Sequence, residues 1–349
     1  MSIATATAPT TTPEPFKVVN ATVVLPATAS ADEWLAERRN GLGGSDIAAA
    51  VGIDRYNSPY SLWLLKTGRR IDNPSPEQQE RMYTGQLLEP VLRDEFARRH
   101  PEYVITRGEG TYAIPGQEWR RCNVDGLVWT PEGELAGVLE CKTGNHRQLD
   151  AWAGDEIPLS YTVQGQWSAA VVGAPRIFYI ALIDTNTWIE KAIDRDDELV
   201  ADLVELGAEF WRHVETDTEP PIDGHTATAA ALMTRPAEPG KTVELDPEFE
   251  KDFRRRAEIQ DQINALNEEK REIDNRIRAA LGDAELGKLN GRKVATFKAP
   301  SAPTRKVADW KAFKKQHPRI YKRWVTEIPA ARRLAISYKT EQNTKESDK

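Results

Sequence analysis

Residues 120–144 read RRCNVDGLVWTPEGELAGVLECKTG. Two apolar runs flank a Thr-Pro-Glu-Gly-Glu segment, the pattern of a β-hairpin. A turn centred on Glu132 and Gly133 sets Asp125 opposite Glu140 and Asn123 opposite Lys142. Side chains alternate along a strand, so Asp125, Glu140 and Lys142 share one face and Val124, Leu139 and Cys141 share the other. Directly opposed Cβ atoms lie about 4.5–5.5 Å apart. Two carboxylates that close repel unless a cation stands between them, and a hard divalent ion takes oxygen ligands. Lys142 beside them is suited to hold a water or a phosphate oxygen. Asp, Glu and Lys also populate the wet face of ordinary hairpins, so the Asp…Glu-x-Lys pattern is not specific by itself. If that face is wet, replacing Asp125 or Lys142 should remove chemistry and spare the fold.

The chain has 349 residues, room for one large domain with an appendage or for two domains, and 40% hydrophobic content supports a core. No apolar run approaches the roughly 18–20 residues of a membrane span. The first residues, MSIATATAPTTTPEPF, lack the basic and apolar regions of a secretory signal and read as a disordered arm. The two cysteines, Cys122 and Cys141, form no C-x-x-C pair. They are expected on the buried face of the hairpin, as free thiols in a reducing cytoplasm. Net charge is −7, but residues 286–349 carry +12 and the rest −19. An acidic body with a basic appendage suits an enzyme that holds metal ions and acts on a polyanion.

Helix and strand signals alternate along the body. Segment 16–27 is a short strand, and a helix follows from Ala31, with Asp32 as candidate N-cap, to Asn40-Gly41. In GLGGSDIAAAVG (41–52), Ser45 or Asp46 caps the next helix, and the Gly-Gly-Ser turn offers free N–H groups that suit an anion. SPYSLWLLKTG (58–68) has Ser58 as cap, Pro59 in the first turn and Gly68 at the end. A longer helix over 77–99 carries the stripe Leu88, Val91, Leu92, Glu95, Phe96. Pro90 predicts a kink or a restart there, next to Glu89. Strands at 103–114 and the hairpin precede a helix at 160–173, a strand pair at 175–184 and 186–193, and an amphipathic helix at 196–214. This order predicts a mixed α/β domain over 30–215. A Pro-rich linker spans 216–245. Over 246–282, Phe249, Phe253, Ile259, Ile263, Leu266, Ile273 and Ile277 fall at heptad-like steps interrupted by Arg256 and Lys270. The segment is a coiled coil or helical hairpin, or else one helix packed on its own body. The basic extension, 283–349, opens with GKLNGRKVATFKA, a hairpin with an Asn-Gly turn. Beyond it, DWKAFKKQHPRIYKRWV and RRLAISYK interleave cations with aromatics, as in phosphate contact with base stacking.

Five ordered fragments, GLGGSDIAAAVG, GQLLEP, NVDGLV, LECKTG and YTVQGQWSAAVVG, resemble the YqaJ-like viral recombinase family. That family groups with lambda exonuclease among the PD-(D/E)xK nucleases, and the likeness covers about 30–215. The resemblance implies a restriction-endonuclease-like α/β core, a mixed sheet flanked by helices, ahead of the helical segment and small basic subdomain. It also implies Mg²⁺ (or Mn²⁺) held by Asp125, Glu140, Glu89 and the backbone carbonyl of Cys141. Lys142 would orient the attacking water, and Gln164 would contact that water or the scissile phosphate. Ser45 and Arg38 would bind a DNA phosphate, such as a terminal 5′ phosphate. The implied activity is 5′–3′ exonucleolytic degradation of double-stranded DNA in phage-type recombination, inside the host cytoplasm for a phage-encoded chain. A single-strand annealing partner and a toroidal trimer belong to the same implication.

Two other readings compete. One is a structure-selective endonuclease of the same superfamily. The other is a non-catalytic DNA-binding or scaffolding protein built on the long helix and basic tail. The five histidines are scattered, no Ser-His-Asp arrangement is visible, and no Walker-type phosphate loop is present.

Overall fold

The computed structural model describes residues 16–70, 75–298 and 309–324. The chain divides into two compact units, residues 1–232 and 233–349. The first unit begins with β1 (Thr22–Pro26), α1 (Ala31–Glu37), α2 (Gly44–Ala50), α3 (Pro59–Lys66) and α4 (Pro76–Arg99). Strands β2 (Val104–Thr106), β3 (Gly110–Ile114), β4 (Gln117–Cys122), β5 (Gly126–Trp129) and β6 (Leu135–Gly144) follow. Then come α5 (Leu159–Val172), β7 (Arg176–Ile183), β8 (Thr187–Asp194), α6 (Asp197–Glu215) and α7 (Thr226–Met233).

A five-stranded sheet, ordered β2-β5-β6-β7-β8, forms the centre, and β1-β3-β4 form a smaller sheet. Only β6 and β7 pair in parallel in the large sheet. Parallel neighbours need a crossover, and α5 supplies it. Helices α4 and α5 cover opposite faces. Leu139, Phe178, Ile180 and Leu182 pack with Leu92 and Phe96 of α4. Val138, Ile177, Tyr179, Ala181 and Ile183 lie in the other cluster with Val163 and Trp167 of α5. Burial on both sides explains why RIFYIALI (176–183) is a nearly unbroken apolar run.

The hairpin register holds where β5 and β6 pair: Gly126↔Leu139, Leu127↔Val138 and Val128↔Gly137. It fails ahead of Gly126. Residues 120–129 are not one strand, because the chain leaves the small sheet after Cys122 and enters the large one at Gly126. Leu42 bonds β4 on both sides of Arg120, its N–H donating to the Trp119 carbonyl and its carbonyl accepting from the Arg121 N–H. The two cysteines consequently lie on different sides. Cys122 is buried in the α5-side core, while half-buried Cys141 packs on the α4 side. Burial raises both thiol pKa values.

Three local expectations also change. Ser30 caps α1, exchanging hydrogen bonds with Glu33, so Asp32 lies inside the first turn. Gly43 caps α2, and Asp46 accepts from its N–H at 3.1 Å; neither Ser45 nor Asp46 is the cap residue. Helix α4 runs unbroken through Pro90, which lies on its exposed side with Gln86, whose carbonyl has no helical donor because proline lacks an N–H.

The second unit holds α8 (Phe249–Leu281), the hairpin β9 (Leu286–Leu289) and β10 (Arg292–Thr296), and short helices α9 (Trp310–Gln316) and α10 (Pro318–Trp324). No side chain of α8 is buried among the described residues, and its heptad-spaced Ile259, Ile263, Leu266, Ile273 and Ile277 are all exposed. Asn290 and Gly291 both have positive φ, 50° and 80°, as a two-residue hairpin turn requires. The arm at 1–15 and the segment RRLAISYK (332–339) lie outside the described residues.

Candidate active site

The site forms where β5 and β6 meet the two covering helices. Asp125 sits just ahead of β5, and its Oδ2 accepts from the Cys141 N–H at 2.7 Å. Glu140 and Lys142 face α5, as strand alternation requires, but that face is not wet. Glu140 is only 1% exposed. Its Oε2 accepts from Lys142 Nζ at 2.6 Å and from Gln164 Nε2 at 2.9 Å. Lys142 Nζ also donates to Gln164 Oε1 at 3.2 Å and lies 5.1 Å from the Tyr161 ring centroid. From the other side, α4 brings Glu89. A cavity of about 170 Å³ is bounded by Gly85, Glu89, Asp125, Cys141, Lys142 and Thr143, with Leu92 at its base.

Arg93 was not singled out by sequence and binds this site together. Its Nη1 donates to Glu89 Oε1 at 3.1 Å and to the Asp125 carbonyl at 2.8 Å. It thereby ties the helix carboxylate to the loop that carries the strand carboxylate. Its spacing of four residues from Glu89 was the available signal.

Electrostatics mark the cavity as short of positive charge. Burial raises the Glu89 pKa and the Asp125 charge adds to this, against a smaller opposing pull from Arg93. Burial also raises Glu140, with Asp125 contributing, although Lys142 pulls the other way. For Lys142 burial works against the charge, but Glu140 and Asp125 outweigh it and the ammonium is held well above its ordinary range.

Among the described residues no three His, Cys, Asp or Glu side chains converge as a ready cage for an ion. The donors present nevertheless fit a Mg²⁺-like ion, which takes one or two carboxylates and fills its shell with water and phosphate oxygens. Glu140 Oε1 is buried with no hydrogen-bond partner. A buried carboxylate oxygen left without a donor is costly, and a cation placed beside it would remove that cost. Ser168 lies near enough to lower the Glu140 pKa slightly, yet its Oγ makes no hydrogen bond either.

A second cavity, about 190 Å³, opens on the far side of Asp125 and is lined by Arg38, Ser45, Arg121, Asn123 and Gln164 among others. Asp125 borders both cavities. Gly44 lets α2 lie against α5, since a Cβ there would stand 2.7 Å from Ser168 Oγ; this presents exposed Ser45 next to Gln164. Arg38 is held by Asp46 Oδ1 at 2.8 Å and lies 5.0 Å over the Trp34 ring. Asp46 in turn bonds Lys66 Nζ at 2.6 Å, and the same ammonium donates to the Arg38 carbonyl at 2.5 Å. Burial would raise the Asp46 pKa, but Lys66, Arg38 and the Gly43 N–H hold it below its ordinary value of 3.8. Burial lowers the Lys66 pKa despite Asp46, because one carboxylate faces two cations.

The structure thus brings Glu89, Asp125, Cys141 and Lys142 to one cavity, with Glu140 and Gln164 behind Lys142. It places Arg38 and Ser45 at the adjoining one. Arg93, Lys66 and Arg121 were missed.

The model of the YqaJ-like viral recombinase domain matches residues 33–175. The uncharacterized protein YqaJ of Bacillus subtilis (strain 168) is 35% identical over 299 residues, 84% of this chain and 90% of that protein. Among solved structures, the alkaline exonuclease LHK-Exo from Laribacter hongkongensis is similar with 21% identity and a TM-score of 0.45, over 54% of this chain and 94% of its own. A putative exonuclease from Eubacterium rectale shows 12% identity and a TM-score of 0.36, over 62% of this chain and 96% of its own. Neither structure assigns a role to any residue here. The sequence relationship, carried across nearly the whole relative, shows that the chain belongs to the YqaJ-like viral recombinase family.

Proposed function

We propose that the protein is a metal-dependent deoxyribonuclease that hydrolyses double-stranded DNA from an end, as a 5′–3′ exonuclease of phage-type recombination. The observation that carries this reading is the pair of cavities meeting at Asp125. One is carboxylate-rich with Lys142 in its wall, and the other has Arg38, Arg121 and Ser45 in its wall beside Glu37 and Asp46. Asp125, Glu140, Glu89 and the Cys141 carbonyl would hold Mg²⁺, with Mn²⁺ as a substitute. When bound, the ion supplies charge neutralisation at the phosphate and lowers the pKa of water.

The chain's own groups do the rest. Lys142, locked by Glu140 and Gln164, holds its ammonium at the cavity wall and orients the attacking water against the phosphorus. Arg93 keeps Glu89 and Asp125 at a fixed separation. Arg38 and Ser45 receive the terminal phosphate, so that cleavage begins at the 5′ end. Resection of this polarity leaves 3′-ended single strands, the substrate of a single-strand annealing protein. A homotrimer enclosing the duplex is a further part of the proposal and rests on family resemblance alone.

Digestion of linear duplexes with blocked or open ends and of a covalently closed circle, with and without Mg²⁺, tests the reading. Open linear DNA is expected to be degraded to nucleotides in Mg²⁺ only, and the circle is expected to survive. Cutting of the circle would instead establish the endonuclease. No metal-dependent release from any substrate would leave the scaffold reading.

Arg38→Ala and Ser45→Ala are expected to erase most of the preference for 5′-phosphorylated over 5′-hydroxyl ends. Arg38 offers charge-assisted bonds worth roughly 1.5–3 kcal/mol to a buried anion, so a preference loss of tenfold or more is expected in paired digestions. Ser45→Ala should leave thermal stability unchanged, because Gly43, not Ser45, caps α2. Wild-type indifference to the 5′ phosphate would remove the pocket assignment and leave the nuclease assignment standing.

The basic extension is proposed to hold DNA outside the site. Residues 310–324 contain six Lys or Arg and no Asp or Glu, and Trp310 is 60% exposed. Deleting residues 286–349 is expected to weaken duplex binding and to flatten the slope of log affinity against log salt by about 0.9 for each phosphate no longer neutralised. Catalysis at low salt should survive, since every site residue precedes residue 170. An unchanged slope would show that the charge serves a protein partner.

A further inference from the structure

Gly85 is in the interior of α4, a 24-residue helix, and half-buried. Glycine at such a position destabilises a helix relative to alanine. Two reasons usually keep it there, and neither applies. Its φ is not positive, so the backbone does not demand it. A Cβ built on it would meet nothing within 4 Å, so no neighbouring element demands the space. Gly44 shows the contrast, with Ser168 Oγ 2.7 Å from its would-be Cβ. Yet Gly85 lines the catalytic cavity. It is four residues before Glu89, and residues at that spacing lie on one helix face, so its missing side chain would project beside the Glu89 carboxylate.

We propose that Gly85 is a substrate-clearance position: the sugar–phosphate backbone of the strand being cut passes against the bare helix at Gly85 on its way to Asp125 and Lys142. This inference rests on the nuclease reading and adds to it a specific wall of the DNA path. The same cavity is lined by Cys141, Lys142 and Thr143 of β6, so the strand would pass between α4 and the end of β6. A methyl at residue 85 narrows that passage, and a branched side chain closes it.

The test separates this role from a structural one by the sign of the stability change. Gly85→Ala is expected to raise Tm by about 2–4 °C while lowering kcat/KM on a 5′-phosphorylated blunt duplex about tenfold. Gly85→Leu, also a good helix former, is expected to remain folded, to weaken binding of the same duplex at least tenfold by fluorescence anisotropy in EDTA, and to lose cleavage. Mn²⁺ binding followed by electron paramagnetic resonance is expected to be unchanged in both variants. A Gly85→Leu protein that binds and cuts like wild type overturns the inference. So does a fall in Tm for Gly85→Ala, which would mean that the helix itself needs the glycine. Loss of Mn²⁺ binding overturns it as well, by placing the effect on the metal. If wild type cuts no DNA, the nuclease reading falls and takes this inference with it. If wild type cuts and the variants cut equally, this inference alone falls.

Discussion

Asp125→Asn is expected to abolish Mg²⁺-dependent cleavage of linear duplex DNA while the protein stays folded. The Asn side-chain oxygen can still accept from the Cys141 N–H, as Asp125 Oδ2 does at 2.7 Å, so the turn into β5 keeps its anchor. Removing the charge also relieves the repulsion that helps raise Glu89 and Glu140. What disappears is a carboxylate bordering both cavities. Losing that electrostatic stabilisation should cost about 4 kcal/mol of barrier, a rate loss of roughly a thousandfold. Lys142→Ala is expected to be equally inactive for a mixed reason. Its side chain is 13% exposed and that of Glu140 1%, and removing one partner of a buried pair costs about 3–5 kcal/mol. Asp125→Asn is therefore expected to spare the fold, and Lys142→Ala to destabilise it. Single-turnover digestion together with urea unfolding checks both. Cleavage by Asp125→Asn within tenfold of wild type would remove this site from the chemistry.

The difference between those two variants shows what sequence could and could not convey. Alternation along β6 put Glu140 and Lys142 on one face, and local pairing gave the register of Gly126 to Val128. Whether that face is wet or covered depends on α5, whose Gln164 is 22 residues beyond Lys142 and reaches both polar groups. No local pattern encodes that contact. The break between β4 and β5 was hidden for a similar reason. Leu42 pairs with β4 from about eighty residues away in sequence, and an apolar-polar run cannot announce a change of sheet. Signals confined to one element were read well. Ser58 with Pro59 opens α3, and Asn290-Gly291 turns the β9–β10 hairpin. The stripe on α8 was legible too, but a stripe says only that a partner is wanted, and most of it is exposed among the described residues, with Phe253 half-buried. Lys66 was overlooked because a lysine closing an apolar helix usually extends into water, whereas here its side chain is 1% exposed.

Asp46→Asn is expected to be among the most destabilising single replacements in the first unit, costing about 3–5 kcal/mol. Asp46 is 4% exposed and neutralises Lys66 and Arg38 together. An amide at this position leaves a buried ammonium with only the Arg38 carbonyl and a neutral oxygen. Lys66→Met should cost less, because Asp46 keeps Arg38 and the Gly43 N–H and the costlier buried charge is gone. The pH dependence fixes the cause. A carboxylate whose folded pKa lies below its unfolded value adds stability above the unfolded value and loses it as pH falls through the folded one. Asp46 is such a group, with an ordinary value of 3.8, so the gap between wild type and Asp46→Asn should be widest above about pH 5 and narrow progressively as pH falls below 3.8 toward the lower folded value. The depressed Lys66 pKa acts with the opposite sign: stability from that group rises as pH climbs from its folded value toward 10.5. The same variant carries a functional consequence, since Asp46 aims the Arg38 guanidinium at the second cavity. Preference for 5′-phosphorylated ends should fall in Asp46→Asn at temperatures where the protein is still folded, and should persist in Lys66→Met. An Asp46→Asn protein within about 1 kcal/mol of wild type would mean that solvent reaches this pair. Arg38 would then be positioned by its stacking on Trp34 alone.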